Sequence, residues 1–141
     1  MTAPPALLDT DILSEVIKRR DVYVQRRAHA YLADHGQLQF SIITRYEVLR
    51  GLKAKDAFQQ ALAFERQCAQ NTVLPLDDDI VVQAAEIYGA LKKRGAIIGD
   101  TDILIAATAL VHDLTLVTGN LDHFRRIPKL RCETWRSPAH P

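Results

Sequence analysis

Short apolar blocks alternate along the chain with longer stretches in which apolar residues recur at three- and four-residue spacing, the respective marks of buried strands and of helices. Ala6-Leu7-Leu8 is the first block and ends on Asp9-Thr10-Asp11. Ile12, Leu13, Val16 and Ile17 then define a helix for which Asp11 or Thr10 is the expected N-cap. Val22 to Leu32 reads as a second helix ended by Gly36, and Leu38 to Ile43 as the next strand. Val48 to Leu52 is helical with a stop near Gly51, and Ala54 to Gln70 is a further helix carrying Ala57, Phe58, Ala61, Leu62, Phe64 and Glu65. Thr72 to Leu76 is a third strand. Asp77-Asp78-Asp79 opens a helix from Ile80 to about Arg94, with Ile80, Ala84, Ile87, Tyr88 and Leu91 on its buried face and Gly95 as terminator.

The stretch Gly99 to Asn120 departs from this pattern. Ile103 to Val111 is apolar on every side except at Thr108, as in a helix surrounded by other elements, and Thr115 to Thr118 is a β-branched strand directly after the break at His112-Asp113. A turn of helix at Leu121 to Phe124, a break at Pro128 and an edge strand within Leu130 to Trp135 follow. Residues 1–5 and 137–141 are expected to fray. Strands alternating with helices predict an α/β three-layer sandwich, a central parallel sheet flanked by helices, and 1–141 as a single domain. The 141 residues, 48% of them hydrophobic, suit one core.

Charge narrows the function little. Eighteen basic and seventeen acidic side chains leave a formal +1, so only local clusters could bind nucleic acid. Lys18, Arg19, Arg20, Arg26 and Arg27 form one such cluster, though a run of this length is also an ordinary solvated helix end. Cys68 and Cys132 match no metal or redox spacing and read as inert packing residues of a reducing compartment. The start MTAPPA lacks the features of a signal peptide and no run is long enough for a membrane span, so a cytoplasmic protein is expected.

Topology gives the acids their interest. In an open parallel sheet, ligands bind outside the carboxyl ends of the strands. Asp9 follows the first strand, Glu47 opens the helix after the second, and Asp102 falls in the first turn of the buried helix, so all three should face one crevice. Thr118 and Asn120, at the end of a later strand, should join them. Crowded, partly desolvated carboxylates repel unless a cation sits among them, and Mg²⁺ or Mn²⁺ suits a few carboxylates completed by water and phosphate. Each acid also has a local explanation: Thr44 and Glu47 form a T-x-x-E capping box, Asp100 is a plausible N-cap, and Asp102 suits the helix dipole. Asp9 is harder to explain as a cap, since Asp11 two residues on adds repulsion.

The segments LLDTDILSE, SIITRYEVLRGL, DTDILIAATAL, LTLVTGNLDHF and IPKLR, in this order, resemble the VapC-type PIN-domain toxins, the ribonuclease halves of type II toxin-antitoxin pairs. The resemblance implies a PIN-like nuclease domain that cleaves RNA with Mg²⁺ or Mn²⁺, pairs with a VapB-like antitoxin whose segment fills the cleft, and forms a homodimer. It places the family's acids on Asp9, Glu47 and Asp102, which would act as catalytic residues and metal ligands. Its fourth, variable acidic position falls on Asn120, in the T-x-N unit begun by Thr118. Asp11 stands where many relatives have asparagine, and Asn120 is an amide, so the charge around the metal differs from that of a four-acid relative. Asp100 is a further nearby carboxylate.

Two other readings use the same residues. Asp9-Thr10-Asp11 also resembles the strand-end motif of HAD-like phosphatases, with Asp9 as covalent nucleophile, although no threonine stands at position 13. A non-catalytic module binding RNA or protein would need the acids only as caps. His29, His35 and His140 read as surface groups, and His112 and His123 as neighbours of the crevice without metal-ligand spacing.

Overall fold

A computed structural model of the chain describes residues 3–136. In order, these form β1 (Ala6–Leu8), α1 (Thr10–Lys18), α2 (Val22–His35), β2 (Gln39–Ser41), α3 (Ile42–Ala54), α4 (Phe58–Gln70), β3 (Thr72–Leu74), α5 (Asp78–Lys93), α6 (Asp100–Val111), β4 (Thr115–Val117), α7 (Leu121–Phe124) and β5 (Cys132–Glu133). β1 pairs in parallel with β4, and β4 with β5; β2 pairs in parallel with β3. The ladder parts between β1 and β2, which pack side by side, so the strands lie in the order β3-β2-β1-β4-β5.

The strands are short, but their side-chain alternation divides the interior in two. Leu7 and Leu116 turn to one face, where they meet Ile80, Ile87 and Leu91 of α5 and Ile103, Ala106 and Ala107 of α6. Ala6, Leu8, Phe40 and Val117 turn to the other, against Ile12 and Leu13 of α1, Val24 and Tyr31 of α2, and Phe64 of α4. Both sheet faces are therefore covered by helices, the expected three-layer sandwich, with β1 and β4 buried at every residue. Among the described residues no helix is long and apolar enough to cross a membrane.

Several boundaries differ from the sequence pattern, each for a local reason. Asp9, rather than Thr10 or Asp11, caps α1. Ser41 caps α3 by accepting from the Thr44 amide at 3.1 Å, so Thr44 lies inside the helix and the T-x-x-E capping box does not form. Gly51 is an ordinary helical residue; α3 runs on to Ala54 and the chain turns at Asp56, whose φ of 52° is left-handed. Gly99, not Asp100, occupies the N-cap of α6. Tyr88, expected on the buried face of its helix, is exposed. Ala3 and Pro5 do not fray: the Ala3 amide donates to Asp34, its carbonyl contacts the His35 ring, and the Pro5 carbonyl accepts from Thr115. Residues 1–2 and 137–141, also expected to fray, lie outside the described residues, as does His140.

The Ser41 cap is testable because its hydroxyl is buried with the amide it satisfies. Ser41→Ala should lower the melting temperature by an amount corresponding to about 0.5–2 kcal/mol. An unchanged melting curve would remove Ser41 as the cap.

Candidate active site

The parallel direction of the strands fixes where the site lies. Leu8 is in register with Val117, so the next residues, Asp9 and Thr118, emerge side by side at the carboxyl edge of the sheet. Ser41, the last residue of β2, emerges beside them and starts α3, which carries Glu47. α6 feeds β4 through a tight turn and therefore runs back against the sheet, putting its amino end, with Asp100 and Asp102, at the same edge. The same geometry sends His112, the C-cap of α6, to the opposite edge, so the expectation that it borders the crevice is wrong.

Asp9 is the centre of the arrangement. Its side chain accepts from the Thr10 amide at 2.8 Å and from the Thr118 hydroxyl at 2.7 Å, and the residue is only 6% exposed. Burial, first of all, pushes its carboxyl up from the ordinary 3.8 to about 7; the Thr118 hydrogen bond opposes this, and Asp11 and Asp102 add repulsion. Burial raises Asp11 as well, countered by the Arg136 guanidinium 3.8 Å away and by the Gly119 amide that donates to it. That close approach requires glycine: a Cβ at position 119 would stand 2.2 Å from an Asp11 oxygen.

Glu47 joins Asp9 through Thr10. The Thr10 amide serves Asp9 while its hydroxyl donates to Glu47 at 2.6 Å. Since Thr10 has one hydroxyl proton, its 3.0 Å contact with Thr44 has Thr44 as donor, and Ser41 stands 3.5 Å behind Thr44. Three hydroxyls thus point in series at one carboxylate. The other Glu47 oxygen lies 3.5 Å from Arg50. On the far side, the Asn120 amide nitrogen is 2.8 Å from His123 Nδ1, which is 3.4 Å from Asp102, and the Asn120 backbone amide donates to the Thr118 hydroxyl.

The structure therefore brings Asp9, Asp11, Glu47, Asp102, Thr118 and Asn120 to one edge. Asp100 is exposed in the same first turn as Asp102. Sequence reasoning overlooked Thr10 as a bridge and gave His123 no partner; a hydroxyl between two strand-end acids was the available signal for Thr10, whereas His123 carries none. Of the basic cluster, Arg20 pairs with Glu15 and Arg27 bonds the Thr134 carbonyl. Cys68 and Cys132 are free thiols whose pKa burial raises, as suits packing residues.

Among the described residues no three His, Cys, Asp or Glu side chains stand close enough to grip one ion together. Asp9 and Asp102 do repel one another, the situation a divalent cation relieves, and Mg²⁺ or Mn²⁺ needs only one or two carboxylates besides water and phosphate. The Asp9 and Asp102 carboxylates fit such an ion.

The PIN domain family matches residues 6–130. The chain belongs to that family. It is 33% identical over 130 residues to Ribonuclease VapC2 of Haemophilus influenzae, covering 92% of this chain and 96% of that protein. It is 32% identical over 121 residues to Ribonuclease VapC1 of Methanocaldococcus jannaschii, covering 86% and 79%. DNA-bound VapBC from Salmonella typhimurium superposes with a TM-score of 0.83 at 28% identity, over 94% of this chain and 99% of that one. Membership of the PIN family displaces the HAD-like phosphatase reading.

The raised Asp9 pKa has a sign that can be measured. Below 3.8 the folded and unfolded chains both hold the proton; from there to about 7 the unfolded chain releases it while the folded chain keeps it, so metal-free stability falls as pH rises through that window. Asp9→Asn removes the penalty. In EDTA the variant should melt above the parent at neutral pH, by up to a few kcal/mol, with a flatter pH dependence between about 4 and about 7. A variant that melts lower at neutral pH would show that the carboxylate stabilises the fold.

Proposed function

We propose that this chain is the toxin of a VapBC-type toxin-antitoxin pair, a divalent-metal-dependent endoribonuclease that hydrolyses RNA phosphodiester bonds in the cytoplasm. The observation that carries the proposal is the buried Asp9 carboxylate, held at the carboxyl edge of the sheet against Asp102, in a chain related along most of its length to proteins named as VapC ribonucleases. VapBC is a family of toxin-antitoxin systems, which supports a VapB-like antitoxin as partner. A homodimer belongs to the same proposal.

Asp9 and Asp102 would hold Mg²⁺ or Mn²⁺, with Glu47 acting through water. When bound, the ion supplies positive charge against the scissile phosphate and the acidity that makes a water a competent nucleophile. Thr118 and the Thr10 amide fix the Asp9 oxygens, and the Ser41-Thr44-Thr10 hydroxyl series fixes Glu47. His123 stands between Asn120 and Asp102 on the other side.

Purified protein free of antitoxin should cleave RNA with Mg²⁺ or Mn²⁺ and stop with EDTA. Asp9→Asn, Asp102→Asn and Glu47→Gln should each lower the rate by about a hundredfold or more while the fold persists, and Asp100→Asn should cleave like the parent. Unchanged cleavage in Asp102→Asn would refute the assignment, and RNA binding without cleavage would favour the non-catalytic module. In cells, the chain produced alone should arrest growth, and co-production of its VapB-like antitoxin should restore it through a complex that survives purification. Harmless production of the active-site-intact chain would count against the toxin reading.

A further inference from the structure

At the rim of the site, Tyr46 stands one residue before Glu47 on α3 and is 57% exposed, a large solvent share for an aromatic ring inside a helix. Arg50 holds it there. The guanidinium sits 5.2 Å from the ring centroid and 3.5 Å from the Glu47 carboxylate, so one cation ties the aromatic face to a site acid. A ring backed by guanidinium on one face keeps the other for a further stacking partner. Arg50 is itself 55% exposed. An exposed aromatic face beside a guanidinium is a combination that binds unstacked bases and the phosphates of single-stranded nucleic acid.

We propose that Tyr46, oriented by Arg50, is a stacking platform for an unpaired RNA base adjacent to the scissile phosphate. The inference rests on the ribonuclease reading for the identity of its ligand. Arg50 meets both the Tyr46 ring and the Glu47 carboxylate, so a base laid on the ring brings its own phosphate towards that acid. A duplex keeps its bases stacked on one another and offers the ring nothing.

Binding of a short fluorescent single-stranded RNA, measured in EDTA so that it does not depend on cleavage, tests the platform separately from the catalytic reading. Tyr46→Ala should weaken binding by at least about fivefold, whereas Tyr46→Phe and Tyr46→Trp should retain it, since stacking uses the ring and not the hydroxyl. Tyr46→Trp fluorescence should be quenched by single-stranded RNA over the background of the buried Trp135, and much less by a duplex of the same sequence. In turnover with metal, Tyr46→Ala should raise KM with kcat within about twofold of the parent. Equal binding by Tyr46→Ala and the parent would overturn the proposal. So would Tyr46→Trp binding as weakly as Tyr46→Ala, or equal quenching by duplex. A parent that binds single strands through Tyr46 yet cleaves none would uphold the platform and refute the ribonuclease reading.

Discussion

The structure turns on one unfavourable placement: an ionisable carboxylate at the end of the most buried strand. β1 has no exposed residue, and Asp9 follows it into a position sealed by the start of α1 and by Thr118. Two hydrogen bonds to its oxygens offset part of the desolvation, and burial still outweighs them, holding the pKa near 7. A fold optimised for stability alone would put an apolar or amide side chain there. That the chain instead surrounds Asp9 with Asp11 and Asp102 is the argument for a site, because each further carboxylate increases the cost.

The sheet supplies what the site requires, a rigid edge from which several chain segments emerge together. With strands of only two or three residues, register depends on the alternation of Ala6, Leu7 and Leu8 between two separate cores, and slipping by one residue would exchange the faces. The same register that seats Leu7 against α5 and α6 sets Asp9 beside Thr118. Core packing and site geometry are therefore one constraint, and α6 transmits it: its Ile103 to Ala109 surface is nearly all buried, leaving Asp102 little freedom at its amino end.

Most of this architecture was legible from the chain because buried strands and amphipathic helices leave different periods, and because the apolar run at Ile103 to Val111 admits only a surrounded helix. The convergence of Asp9, Glu47 and Asp102 followed from topology without any side-chain geometry. Cap identity was less legible. T-x-x-E at Thr44 and Glu47 satisfies the capping pattern in sequence, yet a serine that ends a buried strand three residues earlier takes the cap, and Glu47 is released to the site. His112 and His123 look alike in sequence, and only the direction of α6 separates them. Local patterns identify residue types suited to a role, while long-range pairing decides which residue fills it.

Charge around the site follows a division that local pattern does not disclose. Several peripheral acids have an intramolecular cation: Arg50 for Glu47, and Arg136 for both Asp11 and Glu15. Asp9 has hydroxyl and amide donors instead, and Asp102 faces His123. A guanidinium is a fixed charge with several donors and can be shared between a carboxylate and an incoming phosphate, so Arg50 and Arg136 can turn to a polyanion without leaving their acids wholly uncompensated. Among the described residues no guanidinium pairs with Asp9 or Asp102. The rim is thereby suited to a ligand that carries negative charge, and the centre to the ion that such a ligand would share.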